Sequence, residues 1–380
     1  MSSAIVVGAG VFGASLAREL ADGGWDVTLV DPRRPGHPES GSGGESRLIR
    51  CSHGADRRHA RSARRARELW RELEREAGVE LLVEAGVCWF ARREGGWESA
   101  SEHTLRDEGI PVEHLDPADA ARLFPSFSGD DLAFCLLEPE AGILRAARAV
   151  EALAAGAVDR GARLVAAGAH PEGGVVALDD GRRLEADRVV WACGAWLAWL
   201  FPELVELRVT RQDIAFFAAG PEWRTPGVPG WVDYDGSFYG LGDLDGAGMK
   251  AAPDAEGPPF DPERDPREPS RATEARAREY LRLRFPALGD APLAGLKACH
   301  YEITPDTRFL LAPHPAHPHV WLLGGGSGHG FKHGPALAER AAAALRGDEP
   351  PDPELALGPR RPDRGLRTAA LRATPGPGAG

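Results

Sequence analysis

The chain has 380 residues, of which 43% are hydrophobic and 27% charged, and this ordinary globular composition excludes a mostly disordered or collagen-like chain. At roughly 100–200 residues per domain, the length predicts two domains or one large α/β unit. The formal net charge of −12 disfavours sequence-independent binding to nucleic acid. No window approaches the ~18 uncharged apolar residues that a membrane span needs.

The five cysteines are scattered and form no CxxC pair, which argues against a disulfide framework and against a structural zinc site. The chain starts with MSSAIVVGAG, an apolar strand without a signal peptide. We therefore expect a reducing, cytoplasmic compartment.

The first predicted elements form one βαβ unit. Residues 4–7 are a short apolar run, GAGVFG follows, ASLARELADGG has helical spacing, and WDVTLVD alternates up to Asp31. A glycine- and serine-rich loop over 36–46 and an arginine-rich exposed helix over 55–78 come next. This order of elements is typical of a nucleotide-binding fold.

The remaining chain mixes strands, helices and loops, and no internal repeat is present. We predict short strands and loops over 80–140 with a brief helix near 116–123, and then a helix and a strand over 144–166. A hairpin with an Asp-Gly turn and a buried strand follow over 178–200, and alternating strands over 205–250. The last predicted elements are a surface loop over 252–271, a helix over 271–285, and a strand that enters a glycine turn over 319–334 before a closing helix. Residues 349–380 predict a wrapped or disordered tail.

The glycines of the first turn stand as GxGxxG between a strand and a helix. Gly8 allows a tight turn, Gly10 lets the backbone approach a pyrophosphate, and Gly13 permits close packing of helix on strand. Asp31 ends the second strand, where a carboxylate can accept hydrogen bonds from a ribose hydroxyl. The pattern predicts a bound dinucleotide.

The order of the later elements favours FAD over NAD as that dinucleotide. An NAD enzyme usually continues with further alternating βα units. Here the chain leaves the βαβ unit for a mixed α+β stretch and returns to the nucleotide fold near residue 144 and again near 319. Such interleaving suits a larger cofactor that lies along the molecule.

Lysine is rare in this chain. Lys250, Lys297 and Lys332 are the only lysines among 45 lysines and arginines. The chain strongly favours arginine, so a lysine that is retained can mark a position that needs a compact ammonium group. Lysine and arginine side chains are not interchangeable. For Lys297, chance is an equally good explanation.

Five segments carry a more specific pattern: GAGVFGASLARELADGGWDVTLVD, GESRLIR, GSFYGLGDLDGAGMK, KACHYEITPDTRFLL and GSGHGFKHGPALAE. In this order, over about residues 1–345, they resemble the monomeric sarcosine oxidase and N-methyltryptophan oxidase group. That group lies within the D-amino-acid-oxidase-like flavoproteins. The CxYxxTPD and GSGHGFK segments make the likeness more specific than a shared Rossmann start.

The resemblance implies FAD bonded through its 8α-methyl group to a cysteine sulfur. The matching residue is Cys299, in ACHYEITPD. Such a cysteine needs local positive charge to form a thiolate near neutral pH. The alternative interpretation of Cys299 is a free cysteine that packs like a small hydrophobic residue. We expect this role for the other four cysteines.

The resemblance also implies how the substrate carboxylate is held. The positions that match Arg50 and Lys332 pair around it in the family, and the position that matches Arg47 lies against the flavin. An arginine fork binds a carboxylate through two parallel hydrogen bonds, and a lysine adds a point charge.

The lysine that matches Lys250 stands near flavin N5 in the family and promotes the reaction with O₂. Electron transfer to O₂ makes superoxide, and a fixed cation beside it lowers that barrier. The family pattern places the glycines of GSGHGFK, Gly328 and Gly330, at the pyrimidine edge of the flavin, and Gly194 near the cofactor. Tyr239 and Tyr301 line the cavity or are ordinary core aromatics.

These arguments give two sets of candidate residues. The cofactor-binding set is Gly8, Gly10, Val11, Phe12, Gly13, Asp31, Ser42, Ser46, Arg47, Gly194, Cys299, Gly328, Gly330 and Lys332, and the catalytic set is Lys250, Arg50, Lys332, Tyr239, Tyr301 and Asp254.

Asp254 is a departure from the family pattern. The methylamine oxidases of the family carry a histidine four residues beyond the oxygen-reactive lysine, where this chain has Asp254 if the register holds beside Pro253. A carboxylate there favours a substrate with an extra positive charge, or acts as a base. The loop GSGGESR is also one residue shorter than in the sarcosine oxidases, so the substrate side chain stays open.

The predicted fold is α/β plus α+β, with a Rossmann-like FAD-binding domain interleaved with a mixed-sheet substrate domain. The predicted boundaries are 1–80, 141–204 and 299–348 for FAD binding, 81–140 and 205–298 for the substrate domain, and 349–380 for the tail.

The predicted function is an FAD-dependent oxidase of a secondary or cyclic amino acid. Hydride passes to flavin N5, and O₂ restores the flavin and yields H₂O₂. The alternatives are a biosynthetic flavin desaturase of a cyclic imino acid and a non-catalytic flavin-binding subunit; a nicotinamide dehydrogenase is a weaker one. Expected partners are an amino-acid-like small molecule and O₂, without nucleic acid, membrane or metal, in a monomer or small homo-oligomer.

Overall fold

The structure is a computed structural model, and it describes residues 1–362. The strands are β1 (Ser3–Val7), β2 (Asp26–Asp31), β3 (Ser46–Ile49), β4 (Leu82–Val83), β5 (Val87–Ala91), β6 (Glu113–Leu115), β7 (Phe134–Glu138), β8 (Gly142–Arg145), β9 (Arg163–Ala166), β10 (Ala169–Glu172), β11 (Val175–Leu178), β12 (Arg183–Leu184), β13 (Arg188–Trp191), β14 (Arg208–Phe217), β15 (Gly230–Asp233), β16 (Phe238–Leu241), β17 (Met249–Pro253), β18 (Leu293–Ile303), β19 (Leu310–His314) and β20 (His317–Gly324). The helices are α1 (Val11–Asp22), α2 (Arg57–Ala77), α3 (Trp97–Asp107), α4 (Pro117–Ala120), α5 (Ala146–Asp159), α6 (Leu197–Leu200), α7 (Arg271–Arg284) and α8 (Gly334–Arg346).

The first sheet has six strands in the order β19-β20-β13-β1-β2-β9. All neighbouring pairs are parallel except β19 with β20. β1 is apolar at every inner position because both of its faces are covered. Ala4 and Val6 face a core formed with α1, α5 and α8, whereas Ile5 and Val7 face a core formed with the small β10-β11-β12 sheet.

The second large sheet has eight strands in the order β18-β14-β17-β16-β15-β5-β7-β6. It is mixed, because β15 and β5 are parallel and the other pairs are antiparallel. α7 covers one face through Ala277, Tyr280 and Leu281. A three-stranded sheet, β3-β8-β4, is the fourth sheet. The predicted α/β plus α+β fold class is confirmed.

Several local predictions also agree with the structure. α2 ends where Gly78 adopts a left-handed conformation (φ 65°), and α5 and α7 occupy the predicted stretches. β11 and β12 pair around the Asp-Gly turn.

The stretch 80–140 differs from the prediction of strands and loops with one brief helix near 116–123. It also contains the eleven-residue helix α3. Its sequence, WESASEHTLRD, has only two large apolar residues, so no clear helical stripe exists. α3 is held by burial of small and polar side chains, among them Ser101 and Thr104, together with Leu105.

The predicted tail is described in part. Within 349–362 the chain wraps back on the protein, and Leu355 is 4% exposed in the core beside α8. The remainder of the predicted tail lies outside the described residues. Across residues 1–362, no helix combines the length and apolar character needed to cross a bilayer.

Candidate active site

A cavity of about 720 Å³ lies where the carboxyl ends of β1, β2, β13 and β20 meet strands of the eight-stranded sheet. Such crevices at strand ends are the usual ligand sites of open α/β sheets. Most of the predicted site residues line it: Gly8, Gly10, Val11, Phe12, Asp31, Ser42, Arg47, Arg50, Gly194, Tyr239, Asp254, Cys299, Tyr301, Gly328, Gly330 and Lys332. Gly13, Ser46 and Lys250 are not among the lining residues.

The turn after β1 has the backbone geometry that requires glycine. Gly8 has φ +104°, and a Cβ there would lie 2.5 Å from the carbonyl oxygen of Ala192. A Cβ on Gly13 would lie 1.8 Å from the carbonyl oxygen of Gly8. Gly13 therefore contributes close packing of α1 on β1 rather than a cavity surface. Ser46 is likewise buried, at 3% exposure.

Polar side chains fix this turn and the loop above it. Asp31 accepts hydrogen bonds from the backbone N–H groups of Ala9 (2.7 Å) and Arg33 (2.8 Å). Burial raises the pKa of its carboxyl. The Ser42 hydroxyl accepts from the N–H of Val11 at 3.0 Å, at the first turn of α1. The loop 36–46 thus closes over the positive end of that helix.

Arg47 is fixed beside Cys299. Its guanidinium donates to the carbonyl oxygens of Gly41 (2.9 Å), Gly43 (2.9 Å) and Ser46 (2.8 Å). Nη2 lies 3.8 Å from the Cys299 sulfur. A cation held at this distance stabilises negative charge that develops on the sulfur. The pairing of β14 with β18 places Cys299 opposite Gln212 and Tyr301 opposite Thr210.

Arg50 follows β3, and its guanidinium lies over the ring of Trp89, 5.0 Å from the ring centre. It also donates to the carbonyl oxygen of Ser52. The segment after Arg50 is anchored by Glu138, which accepts from the N–H of Cys51 at 2.6 Å and from the indole N–H of Trp89 at 2.9 Å. The buried carboxylate of Glu138 therefore orients both the arginine segment and the aromatic ring beneath it.

Lys332 is the second cation at this part of the cavity. It is 2% exposed, and its Nζ donates to the carbonyl oxygen of His329 at 2.8 Å. Both Arg50 and Lys332 act electrostatically on the buried ring of His53 and lower its pKa, after the larger effect of burial. Two cations thus converge on one region, which suits an anionic group.

Asp254, Tyr301 and Tyr239 form a polar network on the cavity wall. The Tyr301 hydroxyl donates to Oδ1 of Asp254 at 3.4 Å. Burial, followed by the nearby Tyr301 and Asp254, raises the pKa of Tyr239 well above its ordinary value. The register in which Tyr239 pairs with Ala252 brings Asp254 to this wall.

Lys250 is buried next to Tyr239, which lines the cavity. It is 2% exposed on β17, and its Nζ is 5.0 Å from the ring centre of Tyr239. Burial, reinforced by the guanidinium of Arg47, lowers the pKa of Lys250 to about 7. Lys297, by contrast, is 53% exposed and pairs with Glu45.

The family scan decides the class of protein. The family model described as FAD dependent oxidoreductase matches residues 3–344. The chain belongs to this family.

Curated relatives narrow the type of FAD-dependent oxidoreductase. The chain is 27% identical to monomeric sarcosine oxidase of Bacillus sp. (strain B-0618), over 88% of this chain and 90% of that one. It is also 27% identical to N-methyl-L-tryptophan oxidase of Salmonella agona (strain SL483), over 91% and 95%. The resemblance found in the sequence is confirmed: this is an FAD-dependent oxidoreductase of the sarcosine oxidase and N-methyltryptophan oxidase type.

Solved structures agree on the fold. L-proline dehydrogenase from P. horikoshii superposes with a TM-score of 0.81 at 20% identity and covers 93% of this chain and 95% of its own. NikD, an amino acid oxidase essential for nikkomycin biosynthesis, gives 0.77 at 24% identity, with 94% and 98% covered.

The residues of this oxidoreductase fit FAD. The cavity starts at a glycine turn that admits no Cβ, continues along the carboxylate of Asp31, and reaches Cys299 on the other sheet. Its volume of about 720 Å³ is within the range of cofactor pockets.

Sequence reasoning missed several residues that line the cavity, among them Trp89, Tyr234 and Glu302. Glu302 accepts from the N–H of Gly326 at 3.1 Å, and burial raises the pKa of its carboxyl to about 7. Its place in ACHYEITPD, between Tyr301 and the TPD triplet, is a usable signal. Trp89 lies within the apolar strand β5, and Tyr234 follows β15 between two aspartates; neither context gives a signal.

Proposed function

We propose that this protein is an oxidase of a secondary or cyclic amino acid, of the N-alkyl amino acid type, which uses O₂ and forms H₂O₂. The observation that carries the proposal is the convergence of Arg50 and Lys332 on the same cavity that begins at the nucleotide turn. The names of the curated relatives support it, because sarcosine and N-methyl-L-tryptophan are both N-methyl amino acids.

Arg50 and Lys332 bind the substrate carboxylate in this proposal. The arginine offers a planar fork whose orientation is fixed by Trp89 and Ser52, and the lysine adds a compact charge. Because the carboxylate is held by two cations, the C–H bond next to the nitrogen has a defined position in the cavity. Fixing reacting groups in this way can contribute several kcal/mol to catalysis.

Bound FAD supplies a two-electron acceptor that O₂ restores, with H₂O₂ as product. The turn at Gly8 and Gly10, the carboxylate of Asp31, the loop at Ser42 and the glycines 328 and 330 would hold it. The substrate enters with its amine unprotonated, so no side chain has to act as a strong base. Asp254, hydrogen-bonded to Tyr301, accepts a hydrogen bond from the amine or from a second cationic group of the substrate.

Lys250 is assigned to the oxygen reaction, as a buried cation that stabilises negative charge developing on O₂. We propose the two domains with the boundaries given above: the six-stranded sheet is the core of the FAD-binding domain and most of the eight-stranded sheet is the core of the substrate domain. The boundary at residue 299 divides β18 between them. The proposed partners are an amino-acid-like substrate and O₂, and the proposed assembly is a monomer or small homo-oligomer.

The function is tested by anaerobic mixing of the purified yellow protein with a panel of N-methyl and cyclic amino acids and with primary amino acids as controls. Loss of the flavin absorbance near 450 nm with the first class, followed by one H₂O₂ per substrate in air, is the expected result. If no amine in the panel reduces the flavin, the protein is a flavin-binding subunit instead.

The same experiment separates an oxidase from a desaturase. The Asp254 carboxylate on the cavity wall is the observation that favours the second function, because a base there would assist a further oxidation of a cyclic imine. Consumption of two or more O₂ per cyclic substrate would show the desaturase, and one O₂ per substrate shows the oxidase.

Cys299 is proposed as the covalent attachment point of FAD. In Cys299→Ser, we expect acid precipitation to release the flavin into the supernatant, whereas in the wild type it stays with the pellet. The reason is that the serine hydroxyl cannot supply the thiolate that Arg47 stabilises. Absorbance spectra of both fractions make the measurement.

Cys193→Ser is the matched control, because Cys193 also lines the cavity and its sulfur donates to the carbonyl oxygen of Val7 at 3.3 Å. Its flavin should remain in the pellet. Flavin that stays bound in Cys299→Ser, or that is released from the wild type, would remove the covalent assignment and leave FAD as a dissociable cofactor.

A further inference from the structure

Four buried histidines from separate parts of the chain meet beside the cavity: His53, His59, His329 and His333. None is more than 6% exposed. Their six ring-centre separations all fall between 5.2 and 6.1 Å. Buried polar groups are normally hydrogen-bonded, so four imidazoles this close together in the interior raise the question of what satisfies their ring nitrogens.

The spacing of His53, His329 and His333 approaches what a tetrahedral metal ion requires. With Zn–N bonds of about 2.0–2.1 Å, ligand nitrogens lie roughly 3.3–3.4 Å apart and imidazole centres roughly 5 Å apart. Nε2 of His53 and Nε2 of His333 are 3.4 Å apart. One ring nitrogen from each of His53, His329 and His333 lies within 4.8 Å of the other two. Small side-chain movements would bring these rings onto one ion.

Hydrogen bonds at the outer nitrogens orient three of the rings. His53 Nδ1 lies 3.0 Å from the carbonyl oxygen of Cys51, and His329 Nε2 lies 2.8 Å from that of Thr307. A carbonyl only accepts, so these nitrogens carry the protons, and the opposite nitrogens keep lone pairs. His333 Nδ1 lies 3.0 Å from the hydroxyl of Ser62. Metal-binding histidines are held by such outer partners.

His59 packs against these three rings, with ring centres 5.4–5.6 Å away, and would become a fourth ligand if its ring moved toward them. Its Nδ1 lies 3.2 Å from a carboxylate oxygen of Asp56, and within residues 1–362 its buried Nε2 has no hydrogen-bond partner. A carboxylate behind a histidine is the outer-sphere arrangement found in many zinc proteins. An unpartnered buried nitrogen in a protein interior is costly unless something binds it. A metal ion would satisfy it.

We propose that His53, His59, His329 and His333 bind one divalent transition metal ion, with zinc as the first choice because four neutral imidazoles suit it. The ion would join two segments of the active site. His53 lies three residues after Arg50, and His329 and His333 flank Lys332. A bound ion would therefore fix the backbone positions of both carboxylate-binding cations from behind.

Nearby positive side chains lower the affinity of the four histidines for a metal dication. Arg50 and Lys332 oppose a dication at this point, as does Arg308 near His59. Asp56, which contacts both His59 and Arg308, is the compensating anion. Four imidazole ligands must outweigh the remaining repulsion, so retention of zinc against dilution and a competing chelator is the property to measure.

The test uses the full-length flavoprotein without a polyhistidine tag. The protein is stripped with a chelator, incubated with zinc chloride, passed through a desalting column that contains a weak chelator, and analysed for zinc by mass spectrometry. We expect about one zinc per chain. The double variant His59→Gln/His333→Gln should retain at least tenfold less, while flavin content stays the same.

His314→Gln is the matched control, because His314 lies beside His317 with ring centres 5.0 Å apart, outside the cavity-lining set. It should retain zinc like the wild type. X-ray absorption of the zinc-loaded wild type needs no variant and should show nitrogen neighbours near 2.0 Å with the outer-shell scattering of imidazole. Less than one zinc in ten chains for the wild type, equal retention in the double variant, or a shell without imidazole would each overturn the site and leave a hydrogen-bonded histidine cluster.

Discussion

Replacing Lys250 with methionine should slow the reaction of the reduced enzyme with O₂ by about 10²–10³-fold, the usual loss when one preorganised charge partner is removed. Anaerobic reduction by substrate should stay within a few-fold of the wild-type rate. The physical reason is that Lys250 is 2% exposed, so solvent screens its charge poorly, and it is not among the described residues that line the cavity proposed for the substrate.

The pH dependence follows from the same side chain. Burial and Arg47 lower the pKa of Lys250 to about 7, so the ammonium form predominates below that pH and is lost above it. The rate of reoxidation should therefore fall as the pH rises through about 7. Lys250→Met should be slow at all pH values and should lack this step.

Stopped-flow measurement of the two half-reactions over pH 5.5–9 makes the test. Lys297→Met is the control, because Lys297 is 53% exposed and pairs with Glu45, so both rates should change little. Equal slowing of reduction and reoxidation in Lys250→Met would give the lysine another role, such as holding Tyr239 in place.

The second large effect concerns Arg50. Arg50→Met should lower kcat/KM for the best amino acid substrate by about 10²–10³-fold, because it leaves a bound carboxylate with one cation instead of two. The kcat/KM of Arg50→Lys should lie between those of the wild type and Arg50→Met, because lysine keeps the charge and loses the planar fork.

An amine of the same shape without a carboxylate identifies the cause. For that analogue, wild type and Arg50→Met should differ by only a few-fold, since no carboxylate is present to lose its partner. Arg93→Met is the control for the loss of an arginine as such. Because Arg93 is 70% exposed, its removal should leave kcat/KM nearly unchanged. A similar loss for both the amino acid and the analogue would show that Arg50 supports structure rather than the carboxylate.

The parts of the fold that sequence could predict depend on short-range patterns. The turn at Gly8 and Gly13 was predictable because a glycine without space for Cβ leaves a local sequence signature. α2, α5 and α7 were predictable from their periodicity and ends. α3 was not, because its stability comes from the tertiary burial of small polar side chains rather than from an apolar stripe.

The candidate site divides in the same way. Residues in specific segments, such as Cys299 and Arg50, were named from the sequence, and the structure brings them to one cavity. Trp89 and Glu138 were not named, because their contacts with the Arg50 segment join residues 38 or more positions apart along the chain. The histidine cluster is the clearest case: the spacing of the cysteines argued against zinc, but the four histidines lie in two short stretches, 53–59 and 329–333, that only the fold brings together.

The two ends of the cavity belong to different sheets, since Gly8 and Asp31 end strands of the six-stranded sheet and Cys299 lies on β18, an edge strand of the eight-stranded sheet. A cofactor anchored at both ends would connect two layers whose strands belong to separate sheets. The apoprotein would then be free to lose the layers one after the other, whereas the loaded protein would have to release both together. By mass action, a cofactor that binds only the folded chain would stabilise both layers together, in addition to supplying a redox group.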